Sequence, residues 1–171
     1  MNYYPNHDGI MYFVKEIWPR ILAKRPTTKL WVVGPAPESV QALKNESIEV
    51  TNFVDAVEPY IDRAAAVIVP LRLGGGTRLK IVEAMAKAKP IISTRVGAEG
   101  IDVLHDEHAL LSDDPQGFAD QVERVLSDDA LGARLGQAAR RLAEASYGWP
   151  ALVGRIEDFY ESLLKSPARV T

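Results

Sequence analysis

The chain contains no cysteine. Disulfides, thiolate zinc sites and cysteine nucleophiles are therefore excluded, and the usage suits a cytosolic protein. No apolar run approaches the ~20 residues of a membrane span. The opening residues, Met1-Asn2-Tyr3-Tyr4-Pro5-Asn6, are polar and lack the apolar core of a signal peptide. The expected location is cytoplasmic, with peripheral association at the inner face of the membrane left open. The formal net charge is -3 and no block of like charge occurs, which argues against nucleic acid as a partner. His7, His105 and His108 show no metal-ligand spacing, so no metal site and no cofactor are expected. No activated nucleophile accompanies His105 and Asp106, so no catalytic triad is read. A Walker-type Gly-x4-Gly-Lys-Ser/Thr motif is absent. The first-strand dinucleotide fingerprint is absent too, because Gly34-Pro35-Ala36-Pro37 lacks the later glycines.

What is present is 171 residues, 47% apolar and 25% charged. That is ordinary for one soluble domain with a full core. Met1 to Asp8 reads as a loop, with Pro5 and Asn6 as breakers. Asp8 can cap a helix whose apolar face is Ile10, Phe13, Val14, Ile17, Ile21 and Leu22, kinked or restarted at Pro19. Short apolar runs predict strands at Leu30 to Val33, Ile48 to Thr51, Ala66 to Pro70, Lys89 to Thr94 and His108 to Ser112. Helices are predicted between them, over Ser39 to Lys44, Val57 to Ala64 and Thr77 to Lys87. Gly97 to Gly100 reads as a turn. Asp114-Pro115 opens a helix to about Leu126, and Asp128 caps the next. A last helix runs from about Pro150 to Leu164, and Pro167 begins a frayed tail. Strands alternating with helices predict a doubly wound α/β domain with a parallel sheet, whose ligands sit at the carboxyl ends of the strands.

One stretch lies at such an end. The strand Ala66 to Pro70 runs into Gly74-Gly75-Gly76-Thr77 and then into a helix. Strand, glycine turn and helix start present bare backbone N–H groups, an arrangement suited to phosphate. The plainer reading is a tight turn between two core elements. Glu83, in the following helix, could accept hydrogen bonds from vicinal hydroxyls, or could pair with Lys87 or Lys80 along the helix. Arg72, Arg78 and Lys80 bracket the glycines. One of them could neutralise a diphosphate, or all could be solvated.

Gly74-Gly75-Gly76-Thr77-Arg78-Leu79-Lys80-Ile81-Val82-Glu83-Ala84-Met85-Ala86, followed by Lys89 to Thr94 and Gly97-Ala98-Glu99-Gly100, resembles the donor-binding, C-terminal half of family 4 (group 1) glycosyltransferases. Trp31-Val32-Val33-Gly34 and Tyr147-Gly148-Trp149 fit the same resemblance, as does Tyr4-Pro5-Asn6 with Asp8-Gly9. The resemblance implies a two-domain GT-B enzyme with a nucleoside diphosphate sugar as donor substrate. Its acceptor, a glycan or lipid-linked glycan, would bind the other half. On that basis Gly74, Gly75, Gly76, Thr77, Arg78 and Lys80 hold the donor diphosphate and sugar, and Glu83 holds the ribose. Gly34, Pro35, Asn52 and Phe53 border the base. The whole chain, 1–171, is then one nucleotide-sugar-binding domain, with the helix over 149–165 packing toward the N-terminal half.

Three departures from the family pattern stand out. Gly75 occupies the place where the family often carries a second glutamate. No clear match to the usual diphosphate-clamping Arg and Lys occurs in Asn6 to Gly9. The strand that normally lies at the centre of this half should precede Met1, so five strands are expected here, together with exposed sheet edges and a possible dimer. The resemblance implies retaining hexosyl transfer in glycan or polysaccharide synthesis, with little transfer by this chain alone. The alternative is a non-catalytic nucleotide-binding or assembly module that works with a separate acceptor-domain partner.

Overall fold

The computed structural model describes residues 3–76 and 78–165. The first helix begins earlier than the sequence pattern places it. Helix α1 spans Tyr4–Tyr12 with Pro5 in its first turn. A proline there lacks only an N–H that would have no helical partner, and its φ is already helical. The residue expected to break structure thus starts it, and Asp8, the expected cap, lies inside the helix. Pro19 does perturb the path. Phe13–Ile17 forms a π turn that leads into α2, Trp18–Lys24. There the Trp18 N–H donates to the Phe13 carbonyl, five residues back. Widening the turn relieves the clash between the proline ring and the preceding turn.

All five predicted strands form: β1 (Leu30–Val32), β2 (Ile48–Val50), β3 (Val67–Val69), β4 (Ile91–Ser93) and β5 (Leu110–Leu111). Helices α3 (Glu38–Gln41), α4 (Glu58–Arg63) and α5 (Leu79–Ala86) connect them, followed by α6 (Arg95–Ala98), α7 (Pro115–Ser127), α8 (Asp129–Ser146) and α9 (Trp149–Lys165). The expected turn at Gly97 to Gly100 is in part the short helix α6, because Thr94 caps it: its Oγ1 accepts the Gly97 N–H at 2.8 Å. Asp114 and Asp128 cap α7 and α8 as their positions predict. The tail from Pro167 lies outside the described residues.

Every strand pairing is parallel, as predicted, but the strands form two ladders, β1-β2 and β3-β4-β5. In a parallel ladder, alternate residues direct their N–H and C=O groups to opposite neighbours. Leu30 N–H donates to Ser47 O and Thr51 N–H to Val32 O, so Trp31 turns its backbone groups away from β2. Val67 N–H donates to Pro90 O and Thr94 N–H to Val69 O, so Ile68 turns away from β4. Trp31 and Ile68 both line one small cleft between β1 and β3.

The core lies on both faces of the strands. Ile92 and Leu110 pack with Phe13, Ile17, Phe118 and Val122, from α1 through α2 and from α7. Neighbouring Ile91 and Ala109 pack on the other face with Ile81, Met85 and Ala139, from α5 and α8. Adjacent residues of β4 thus enter opposite layers, and all three are buried, as a central parallel strand requires. Helix α9 differs. None of its residues is buried, and Val153, Ile156, Phe159 and Leu163 are exposed.

Two backbone positions test this packing. Helix α8 crosses the end of α5 so closely that a Cβ on Gly136 would stand 2.0 Å from the Ala88 carbonyl oxygen. Gly136→Ala is expected to destabilise the fold by about 3 kcal/mol in chemical denaturation, and an unchanged midpoint would refute the close approach. Ala88 itself has φ 51°. Its N–H donates to Met85 O and the Lys89 N–H to Ala84 O, a Schellman cap at a position where glycine is favoured. Ala88→Gly should raise stability by about 1 kcal/mol in the same measurement.

Candidate functional site

Because all strands are parallel, their carboxyl ends lie together, and the residues singled out in the sequence gather there. The ends of β3 and β4 are joined by buried hydroxyls. Ser93 Oγ lies 3.1 Å from Val69 O and 2.8 Å from Thr94 O, two acceptors that share its single hydroxyl proton. Thr94 Oγ1 donates to Leu71 O. Gly97 fits against this junction with no room to spare: a Cβ would lie 2.5 Å from both Val69 O and Ser93 Oγ. Sequence reading placed Ser93 and Thr94 only as strand residues. The polar ending of an apolar strand, Ile91-Ile92-Ser93-Thr94, was the available signal.

The glycine turn leaves the end of β3. Gly74 and Gly76 have φ of 115° and 86°, a region that side chains rarely adopt. Gly75 and Gly76 are exposed, and nothing lies within 4 Å of a Cβ built on either. Gly74 is covered by Pro5, whose Cβ and Cγ lie 3.1 Å from such a Cβ. Helix α1 therefore seats its first turn on the glycine loop. Thr77 lies outside the described residues.

The three cations bracketing the glycines separate into three environments. Arg72 makes a bidentate ion pair with Asp8, at 2.6 and 3.1 Å, and its guanidinium lies 4.5 Å from the centre of the Tyr12 ring. The hydrogen bond to Asp8 raises its pKa. Arg78 is 5% exposed. It donates from Nη1 to Gly75 O at 2.7 Å and from Nη2 to Gly74 O at 2.8 Å, while its Nε is buried without a hydrogen-bond partner. Lys80 lines the cleft between β1 and β3, and its Nζ donates to Asn6 Oδ1 at 2.7 Å. Burial lowers its pKa, the nearby Arg78 charge lowers it further, and Glu83 acts against both. Two half-buried or buried cations next to one open glycine turn make this end of the strands electropositive.

Glu83 is exposed on the second turn of α5. The partners offered by helix spacing are engaged elsewhere: Lys87 bonds Asp62 at 3.1 Å, and Lys80 bonds Asn6. No hydrogen bond or ion pair holds the Glu83 carboxylate among the described residues. At the ends of β1 and β2, Gly34 and Asn52 form an antiparallel bridge, with φ of 108° and 63°. Gly34 N–H donates to Thr51 Oγ1 at 3.2 Å, and Gln41 Nε2 donates to Asn52 Oδ1. Phe53 beside them is 74% exposed, and Pro35 is exposed too. An exposed aromatic ring next to a fixed backbone bridge offers a face on which a planar ring can stack.

The histidines serve local structure. His105 Nδ1 accepts the Leu111 N–H at 2.9 Å, and His108 Nδ1 accepts the Leu104 N–H at 3.2 Å. His7 Nε2 lies 2.9 Å from Ser39 Oγ. Tyr147 reaches the loop after α6, where its hydroxyl accepts the Asp102 N–H at 2.8 Å and lies 2.9 Å from Asp102 Oδ2. No helix of the described residues is long and apolar enough to cross a membrane.

Comparison with known proteins bears on this architecture. The chain is 27% identical over 184 residues to a D-inositol 3-phosphate glycosyltransferase of Corynebacterium efficiens, an alignment covering 91% of this chain and 43% of that protein. It is 23% identical to an uncharacterised 44.6 kDa protein of the cps region of Klebsiella pneumoniae, over 68% of this chain and 33% of the relative. The chain thus spans less than half the length of these curated relatives. Among solved structures, the C-terminal domain of the group 1 glycosyltransferase LpcC from Francisella tularensis superposes with a TM-score of 0.73 at 22% identity, covering 82% of this chain and 80% of that domain. Anabaena Alr3699/HepE, solved with UDP and glucose, superposes with a TM-score of 0.72 at 17% identity, over 88% of this chain and 44% of that one. These neighbours share its Rossmann-like, GT-B half fold. The family model for glycosyl transferases group 1 matches residues 1–128, and the chain belongs to that family.

Proposed function

We propose that this domain binds the nucleoside diphosphate sugar donor of a retaining glycosyltransferase that transfers a hexosyl group to an acceptor hydroxyl in glycan synthesis. The observation that carries the reading is Glu83: an exposed carboxylate that no hydrogen bond or ion pair holds among the described residues, in the helix that follows an open, electropositive glycine turn. Backbone N–H groups of the turn and the Lys80 ammonium suit a diphosphate, and Glu83 suits the ribose hydroxyls. The open surface by Gly34, Asn52 and Phe53 suits the base. Departure of the diphosphate would be eased by donors already in place around it, and the reading calls for no metal. The UDP bound by the Anabaena neighbour supports a nucleotide of this class.

The acceptor would come from the other half of a two-domain enzyme, with which the exposed apolar side of α9 packs in this proposal. An extended strand of that larger protein would complete the ladder between the backbone edges at Trp31 and Ile68. The second reading, a nucleotide-binding or assembly module with a separate acceptor-domain partner, draws on Gly75. A carboxylate there would stand beside the sugar, and glycine provides none.

Isothermal calorimetry with UDP, ADP and GDP tests the donor site. One of them should bind, and Glu83→Ala should weaken it about tenfold, the loss of a charge-assisted hydrogen bond. Equal affinity in both proteins would remove Glu83 from the site. The Gly75 position is sterically open, so Gly75→Glu should melt within about 2 °C of wild type. A large fall in melting temperature would show that the turn cannot hold the second carboxylate.

A further inference from the structure

The sequence offers Arg78 and Lys80 as alternative clamps for a diphosphate, but the structure gives them different work. Arg78 is buried beneath the turn, and its two terminal nitrogens hold the carbonyls of Gly74 and Gly75 at 2.8 and 2.7 Å, with a longer contact of 3.5 Å from Nη2 to Val96 O. A trans peptide holds its C=O and its N–H on opposite sides, and no cis peptide occurs among the described residues. Drawing the Gly74 carbonyl inward therefore turns the Gly75 N–H outward. Drawing the Gly75 carbonyl inward does the same for the Gly76 N–H. Both residues are exposed, and a Cβ on either would meet nothing within 4 Å, so amides turned outward there have room to meet a ligand. From this geometry we infer that Arg78 is a positioning residue, which anchors two successive carbonyls and so aims the Gly75 and Gly76 amides at the donor's diphosphate.

The inference rests on the donor-site reading above and assigns a role that direct contact cannot fill. A guanidinium is suited to it because its planar fork can hold two acceptors at once, where an ammonium is a single point charge. No carboxylate forms an ion pair with Arg78 among the described residues, and its Nε is left without a partner. Its charge is therefore not cancelled locally and adds to the potential at the turn. Lys80, with one neutral partner in Asn6, is the cation placed to move onto a phosphate.

The test compares Arg78→Lys, Arg78→Met and Lys80→Met with wild type. Three quantities are read: melting temperature, amide order parameters of Gly75 and Gly76 without ligand, and dissociation constants for inorganic pyrophosphate, UDP and uridine. Arg78→Lys should keep the fold yet lower the two order parameters below about 0.6. It should weaken pyrophosphate and UDP by about tenfold and leave uridine unchanged. Lys80→Met should weaken pyrophosphate with wild-type order at the glycines. A merely structural role for Arg78 would lower melting temperature without separating pyrophosphate from uridine. Wild-type order and wild-type pyrophosphate affinity in Arg78→Lys overturn the inference even where Arg78→Met fails to fold. A wild-type protein that binds neither pyrophosphate nor any of UDP, ADP and GDP overturns the donor-site reading instead, so the two failures are distinguishable.

Discussion

The junction between the ends of β3 and β4 is the constraint on which the rest of this structure depends. Its hydroxyls are buried, so each must find a partner. Ser93 and Thr94 find theirs in the carbonyls of Val69 and Leu71, where β3 stops pairing as a strand. The same Thr94 hydroxyl accepts the Gly97 N–H and starts α6. One cluster of hydrogen bonds therefore ends two strands, fixes the chain leading into the glycine turn and turns the chain after β4. Gly97 must lack a side chain because the carbonyl of Val69 fills the space where one would stand.

Above that junction, α1 acts as a cover. Pro5 packs on Gly74, Asn6 holds Lys80, Asp8 holds Arg72, and Gly9 lies against the Pro70 carbonyl. Four residues from one helical turn and the next thus touch three points of the β3–α5 connection and one on the first turn of α5. This explains why the chain before β1 is helical where the residue types pointed to a loop. The polar side chains are used for tertiary contacts, and the proline suits a first turn. It also gives the cations distinct roles. Arg72 is engaged by a carboxylate, Arg78 by backbone carbonyls, and Lys80 by a neutral amide.

Much of the fold was legible in the chain. Five apolar runs became five parallel strands, and the capping aspartates 114 and 128 opened the helices they precede. The start of α1 was not legible, because Pro5 carries the same letter whether it breaks a structure or begins one. The π turn before Pro19 was also hidden, since the sequence marks the obstacle and not the way around it. Of the candidate site, the glycine turn and Glu83 were visible as a pattern. The roles of Arg78 and Lys80 could not be separated, because residues two apart on a chain can enter very different surroundings at a helix start.

By itself the sequence determined the fold class, the membership of the glycine turn and Glu83 in one strand–turn–helix unit, and the absence of thiol chemistry. These follow from periodicity, from the conformations only glycine adopts readily, and from composition, all of which are local. Tertiary structure alone decided which carbonyls Arg78 holds, that Glu83 lacks the helix-surface partners its spacing offered, and that β1 and β3 face each other across a cleft. Those outcomes depend on burial and on contacts between residues far apart in the chain, such as Asp8 with Arg72 and Asn6 with Lys80.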